Sequence, residues 1–446
     1  MSAPATPAPS AVARPQPHAG VAHADDAQAG HAPAGGTPLT PHALRCAACG
    51  HAVGASAQAI CAECLGPLEP VYDPTRRLPS RGEIAARPRS LWRYREWLPF
   101  SGEPVHARDV GWTPLVEAPA LAARLGVTRL WLKLDAHSFP SLSFKDRVVT
   151  AAINAAEAFG LDVIGCASTG NLANAVAAAA ARAGKAAWIF VPHDLEPSKL
   201  LATTVFGPRL VRVKGTYDDV NRLCTQVADR FGWGIVNVNL RAYYGEGSKT
   251  MAFEIAEQLG WRLPTAVVAP MAGGSLVTKL RKGFTEARDA GLVLGALPRQ
   301  YGAQAEGCAP IVRLADRGDD ALIPEIPSTI ARSLAIGNPA DGLFASRILR
   351  ESGGAGQAVS DAELVAAIRL LAETTGVFAE TAGGVALAAT LKLAQRGLLR
   401  PSDEVVVCLT GHGLKTVDAV GDTLLSAPTI APRIREVAAL VTSAAA

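Results

Sequence analysis

Lys145 is the residue of this chain with the most chemistry open to it. It stands in Ser143-Phe144-Lys145-Asp146-Arg147, between an irregular Pro/Ser segment (139–141) and apolar residues at Val148, Val149, Ala152, Ile153, Ala156 and Phe159. That spacing predicts a helix, which Gly160 stops. Lys145 thus falls at or just before a helix N-terminus. The partial positive charge there disfavours an added cation, and a neutral amine is what Schiff-base chemistry requires. A lone lysine beside a helix cap is also an ordinary surface feature, so its weight depends on what the fold brings to it.

Three other loops follow predicted strands. Ser168-Thr169-Gly170-Asn171 opens a helix after a strand at 163–167. Free N–H groups and the dipole at such a start can hold a carboxylate, and Asn171 adds an amide. A plain N-cap needs only one such residue. Ala272-Gly273-Gly274-Ser275, with Leu276 behind it, follows a strand at 266–269. Its glycines let backbone N–H groups close on a phosphate, and Ser275 adds a hydroxyl; a simple tight turn is the alternative. The loop lacks Walker or dinucleotide spacing, so a small phosphate on a compact cofactor fits better than a nucleotide. Thr410-Gly411-His412-Gly413-Leu414-Lys415 follows a strand at 405–409 and leaves Thr410 free to point into a cleft. His412 is either an acid–base group or a structural loop histidine. A reactive lysine, an anion-holding helix start, a phosphate cradle and a neutral hydroxyl together suit pyridoxal 5′-phosphate.

Strands that alternate with helices must position these loops. Further strands are expected at 131–134, 187–191, 210–213, 235–239 and 301–304, and a helix from about Ser248 to Leu259. The pattern predicts an α/β fold with parallel sheets covered by helices on both faces, which bind ligands at the carboxyl ends of their strands.

The chain has 446 residues, 49% of them hydrophobic and 5% aromatic, as in an α/β enzyme. A net charge of +3 with interspersed signs argues against nucleic acid as a partner. No apolar run reaches a membrane span and no signal peptide opens the sequence, so a soluble cytoplasmic protein is expected.

Residues 1–42, rich in Ala, Pro, Gly and His, are expected to be disordered, with His18, His23 and His31 as solvated tail residues. A zinc-ribbon-like segment follows at 43–70. There Cys46-Ala-Ala-Cys49 and Cys61-Ala-Glu-Cys64 are two CxxC pairs at hairpin spacing, with Gly50 and Gly66 placed for knuckle turns. Four thiolates can hold a structural zinc with no open position; a redox pair or a metal-free ribbon are the alternatives. Cys166, Cys224, Cys308 and Cys408 read as small core residues. Residues 71–110, with Trp92, Tyr94 and Trp97 among arginines, read as a linker and a short helix packed on the main body (111–446).

From Gly111 to Val420 the chain resembles the threonine synthases, within the fold-type II family of pyridoxal-phosphate enzymes. The matching segments are Trp112-Thr113-Pro114-Leu115, Ser143 to Arg147, Ala167 to Asn171, Glu246-Gly247-Ser248-Lys249-Thr250, Ile336-Gly337-Asn338-Pro339 and Thr410 to Lys415. The resemblance implies a two-lobed body, the smaller lobe at about 140–250, and a homodimer. It implies that Lys145 is the Schiff-base lysine, that Asn171 contacts the cofactor ring hydroxyl, and that Ala272, Gly273, Gly274, Ser275 and Leu276 hold its phosphate. Thr410 would meet the pyridine nitrogen. Ser168 and Thr169 would hold the substrate carboxylate, with Asn239, Arg241 and Lys249 near the substrate phosphate. The implied activity converts O-phospho-L-homoserine and water to L-threonine and phosphate. Alternatives are β-replacement on O-phosphoserine, deamination of threonine or serine, or an inactive body that serves the ribbon as a scaffold. Two segments depart from the family. Pro140-Ser141-Leu142 stands where Pro-Thr-Gly is common, so a different turn is expected, and Ala272-Gly273-Gly274-Ser275 stands where many relatives carry Gly-Asn-x-Gly-Asn.

Overall fold

The computed structural model describes Leu39 and residues 42–168, 170–193, 197–215, 217–424 and 428–444. The tail with His18, His23 and His31, and the substrate candidate Thr169, lie outside the described residues. Three sheets organise the rest. The N-terminal ribbon is antiparallel, with β1 (His42–Cys46) between β2 (Ala52–Gly54) and β3 (Leu68–Tyr72). Next come β4 (Leu115–Glu117) and β5 (Arg129–Leu134). The chain then builds a parallel four-stranded sheet from β6 (Val163–Ala167), β7 (Ala186–Pro192), β8 (Arg209–Val213) and β9 (Gly234–Ile235), in the order β8-β7-β6-β9. It returns through β10 (Ala266–Pro270), β11 (Arg299–Ala305), β12 (Gly356–Val359) and β13 (Glu404–Leu409) to complete a six-stranded sheet, order β12-β11-β10-β13-β5-β4. Only β4, at the edge, runs antiparallel to its neighbour in that sheet. All of β10 is buried, as is β13 after Glu404, which is why both read as continuous apolar runs.

Four helices position the candidate loops. The lysine helix is Lys145–Ala158, the asparagine helix Asn171–Ala183, the long helix Arg241–Gln258 and the cradle helix Ser275–Asp289. The long helix begins earlier than Ser248, its expected start. Gly245 and Gly247 weaken a helix by propensity, but close packing against backbone requires Gly247. An added Cβ at Gly247 would lie 2.4 Å from the Arg147 carbonyl oxygen, and one at Gly245 would lie 2.7 Å from Cε of Lys279. The strand expected at 235–239 stops at Ile235, because Asn239 turns the chain back. Its side chain accepts from the Ile235 N–H at 2.8 Å and donates to the Trp233 carbonyl at 3.0 Å.

Residues 71–110 pack on the body rather than form a basic surface. A short helix, Arg81–Ala85, carries a Ser80/Glu83 capping box. Tyr94 and Trp97 are buried, their rings 5.3 and 5.0 Å from Phe253 of the long helix.

Beneath the lysine loop lies a dry ionic cluster. Arg147, Asp135, Glu254 and Lys133 are all fully buried. The Arg147 guanidinium donates to both Asp135 oxygens (2.6 and 2.9 Å) and both Glu254 oxygens (2.5 and 2.6 Å). Lys133 donates to Glu254 at 2.7 Å and to the Thr113 carbonyl at 2.7 Å, and the Trp112 N–H donates to Glu254 at 2.7 Å. Burial pushes the Glu254 carboxyl up, but Arg147 and Lys133 outweigh it and hold it at about 2. The cluster joins β5, the lysine helix and the long helix. Removing one partner of such a set strands buried charge, so Glu254→Gln should cost about 3–5 kcal/mol at pH 7 by denaturant unfolding. A carboxyl held low contributes stability above its ordinary value of 4.5 and loses it as pH falls toward about 2. The gap between wild type and variant should therefore shrink across that window.

Candidate active site

Each candidate loop leaves the carboxyl end of a strand, and a chain of contacts joins them. Lys145 is the first residue of its helix, and its Nζ lies 2.5 Å from the Tyr244 hydroxyl on the long helix. One residue earlier, the Phe144 N–H donates to the Thr410 carbonyl at 2.8 Å. The Gly411 carbonyl accepts from the Glu380 N–H at 2.9 Å, and the Glu380 carboxylate accepts from the Asn171 amide at 2.8 and 3.0 Å. On the other side Arg241, one turn before Tyr244, pairs with Asp341 at 2.6 Å. The Asp341 N–H donates to the Gly273 carbonyl at 3.0 Å, which fixes the cradle loop. The lysine, the asparagine turn, the glycine loop and the Thr410 loop are thus joined in one network of contacts.

Two helix starts in this network lack side-chain caps. The cradle helix begins after Gly274, at φ 91°, and the asparagine helix after Gly170. Their free N–H groups suit anions. An added Cβ at Gly273 meets nothing within 4 Å, so a ligand atom has room there, whereas one at Gly274 would lie 2.9 Å from the Asp341 carbonyl oxygen. Ala272 and Ser275 are partly exposed and Leu276 is buried. The Ser168 N–H donates to the Phe190 carbonyl at 3.2 Å, and its hydroxyl accepts from the Gly170 N–H at 3.4 Å.

Burial pushes the Glu380 carboxyl up, against the Asn171 donor and the charges of Lys415 and Lys145. His412 is pushed down by burial and by His137 and Lys415, and its Nδ1 accepts from the Leu414 N–H at 3.2 Å. That bond gives His412 a structural part in the loop.

Leu142 adopts the left-handed conformation that glycine favours, with φ 59°. Leucine carries the strain there, about 1–2 kcal/mol, while the neighbouring Ser141 N–H is held by Asp146 at 3.0 Å. Lys249 does not reach toward a substrate phosphate. It is fully buried, with Glu246 and Glu286 as partners, the latter at 2.8 Å. Five residues along a helix turn a side chain by about 140°, so Lys249 faces away from Tyr244, while Arg241 lies on nearly the same face. Asn239 is likewise spent on its local turn, leaving Arg241, joined through Asp341 to the glycine loop, among the three residues expected near a substrate phosphate.

Residues 107–411 match the family described as Pyridoxal-phosphate dependent enzyme. A threonine synthase from Methanocaldococcus jannaschii is 35% identical over 380 residues, 84% of this chain and 93% of that protein. A threonine synthase from Synechocystis is 37% identical over 328 residues, 73% of this chain and 82% of that protein. The chain belongs to the threonine synthase family of pyridoxal-phosphate dependent enzymes. Its fold is also that of a solved fungal L-serine ammonia-lyase from Rhizomucor miehei, with TM-score 0.60 and 25% identity over 70% of this chain and 97% of that one.

Within this family member, sequence reasoning missed Tyr244, Glu380 and Asp341. Tyr244 falls before the expected helix start, so its facing was not readable. Glu380 and Asp341 meet the site only through tertiary contacts, although an acid directly before Thr381-Ala382-Gly383-Gly384 is a helix-start signal.

The four ribbon cysteines also come together, all four sulfurs within 4.8 Å of one another. A tetrahedral zinc with bonds of ~2.3 Å needs sulfur–sulfur edges of about 3.8 Å. Cys46 and Cys64 lie 3.4 Å apart and Cys49 and Cys61 3.8 Å. Gly50 supplies one knuckle turn at φ 78°, but in the other Leu65 takes the left-handed position, at φ 59°. Gly66 is needed for clearance instead, since an added Cβ would lie 2.7 Å from the Cys46 sulfur.

The two cradle glycines should respond differently to alanine. Gly273→Ala fills open space, so the protein should keep its thermal stability while its pyridoxal-phosphate affinity falls by about tenfold or more, the effect of about 1.4 kcal/mol. Gly274→Ala should lose stability as well. Thermal unfolding without cofactor and a cofactor titration check both, and identical behaviour of the two variants would contradict the cradle geometry.

Proposed function

We propose that this chain converts O-phospho-L-homoserine and water to L-threonine and phosphate, with pyridoxal 5′-phosphate held at Lys145. The carrying observation is that contacts link Asn171 through Glu380 and the Thr410 loop to Phe144 beside Lys145, that Lys145 meets Tyr244, and that Arg241 on the same helix pairs with Asp341, which holds Gly273. When bound, the cofactor supplies an electron sink for charge that develops next to the amino-acid α-carbon. The residues suit it: an uncapped helix start with Gly273 and Gly274 for its phosphate, Asn171 for its ring hydroxyl and Thr410 for its ring nitrogen.

The remaining work falls to this chain's own side chains. Ser168, Thr169 and the start of the asparagine helix bind the substrate carboxylate. Lys145, held by Tyr244, is the base that removes the α-proton and returns protons later. Arg241 sits beside the cradle loop, where it can leave Asp341 to meet the substrate phosphate. Phosphate leaves from the γ-carbon and the hydroxyl of water enters at the β-carbon, so the products balance the ester and one water. The same reading takes the smaller lobe at about 140–250 as one wall of the cleft and the enzyme as a cytoplasmic homodimer. All eight cysteines are unpaired, which suits a reducing compartment. Among the described residues no helix is long and apolar enough to cross a membrane.

A product assay tests the proposal. Cofactor-loaded protein should release threonine and phosphate in equal amounts from O-phospho-L-homoserine, and Lys145→Ala should abolish both. Turnover of O-phosphoserine with sulfite alone would move the function to β-replacement. Full activity in Lys145→Ala would overturn the assignment of the base.

A further inference from the structure

The cysteine ribbon grips the long helix and the cradle helix. His42 Nε2 lies 3.2 Å from the Tyr243 hydroxyl, which donates to the Ser56 carbonyl at 3.1 Å. The Tyr72 hydroxyl donates to Glu246 at 2.6 Å. Glu69 pairs with Lys279 at 2.5 Å and Lys282 at 3.5 Å, and Lys282 also reaches Glu246 at 2.7 Å and the Pro70 carbonyl at 3.1 Å. On the long helix these contacts close on positions 243 and 246, either side of Tyr244, the partner of Lys145. On the cradle helix they close on the turns that follow the glycine loop. Tyr243, Glu246 and Lys249 are fully buried, so the body side of the joint is closed to solvent.

The ribbon has little means of holding its own shape. Its strands are 5, 3 and 5 residues long, and its cysteines form no disulfide. Units below about 40 residues generally need a metal, a disulfide or a partner to fold. Leu44, Cys46, Cys61 and Leu68 are buried in the same apolar cluster as Tyr243 and Val148, which leaves the four-sulfur site as the internal staple.

We propose that the ribbon binds one zinc ion and that the zinc-held ribbon acts as a positioning arm of the active site. It fixes the start of the long helix, and with it Tyr244 against Lys145. His42, Ser56, Glu69 and Tyr72 reach their partners only while the knuckles hold β1 and β3 in place. Loss of the metal loosens residues 241–250 and weakens cofactor binding. Because coupling between two sites is reciprocal, pyridoxal phosphate tightens zinc binding by the same factor, in the range of about 5- to 150-fold.

The test uses the full chain and three readouts: zinc content, pyridoxal-phosphate affinity by absorbance titration, and hydrogen exchange of 241–250. Wild type should carry one zinc per chain. C49S/C64S, which alters the two exposed cysteines, should lose the zinc, exchange faster at 241–250 and bind the cofactor about tenfold more weakly. Tyr72→Phe should keep the zinc yet shift the other two readouts in the same direction, which keeps the proposal testable if C49S/C64S does not fold. Wild type free of zinc, or a zinc-free variant with unchanged exchange and affinity, would overturn it. The cofactor readout rests on the proposed function. A wild type that takes up no pyridoxal phosphate would sink that function, while zinc content and exchange would still decide the coupling.

Discussion

Two cations and two carboxylates share one buried cluster under Lys145, and the placing of its helix depends on their pairing. Arg147 stands two residues after Lys145 and is held on both faces, by Asp135 at the end of β5 and by Glu254 of the long helix. Charges this deep are tolerated only with close partners and satisfied donors. Thr113, Thr250, Gln258 and the Trp112 N–H supply further bonds. The lysine helix therefore cannot rotate or slide without stranding charge. Ten residues before Glu254 on the same helix, about 15 Å along its axis, Tyr244 receives the Lys145 amine.

Glycines then set how closely the helices can meet. Gly247 brings the long helix onto the backbone of the lysine helix, and Gly283 brings the cradle helix onto the long one, where an added Cβ would lie 2.5 Å from the Lys249 carbonyl oxygen. Rigid contacts of this kind carry the geometry of the ionic cluster outward to the glycine loop. Loops at strand ends complete the network, and two helix starts there carry partial positive charge with no side-chain cap. A neutral hydroxyl at Thr410 and a buried Glu380 complete the surroundings of the proposed cofactor ring.

Much of this was legible in the sequence because the chemistry follows the strands. Runs such as Val163–Ala167 and Val405–Leu409 are unambiguous, and the residues after them fall at the carboxyl edge of a parallel sheet whatever the remaining topology. Partners from distant segments were not legible. Asn171 and Glu380 are separated by 209 positions, and nothing local signals their contact. Helix phase also misled: Lys249 shares a motif with the site but faces Glu246 and Glu286, because Gly245 and Gly247 masked where the helix begins. The turn at Leu142 shows the converse case, in which an unfavourable residue is kept in a conformation that its surroundings impose.

The most direct measurement of the central claim is an isotope experiment on the cofactor-loaded enzyme with O-phospho-L-homoserine in ¹⁸O-labelled water. Elimination of phosphate followed by addition of water at the β-carbon should place the label in the threonine hydroxyl and leave the released phosphate unlabelled. Labelled phosphate together with homoserine would mean that the ester is cut at phosphorus, and would contradict the proposed chemistry at Lys145.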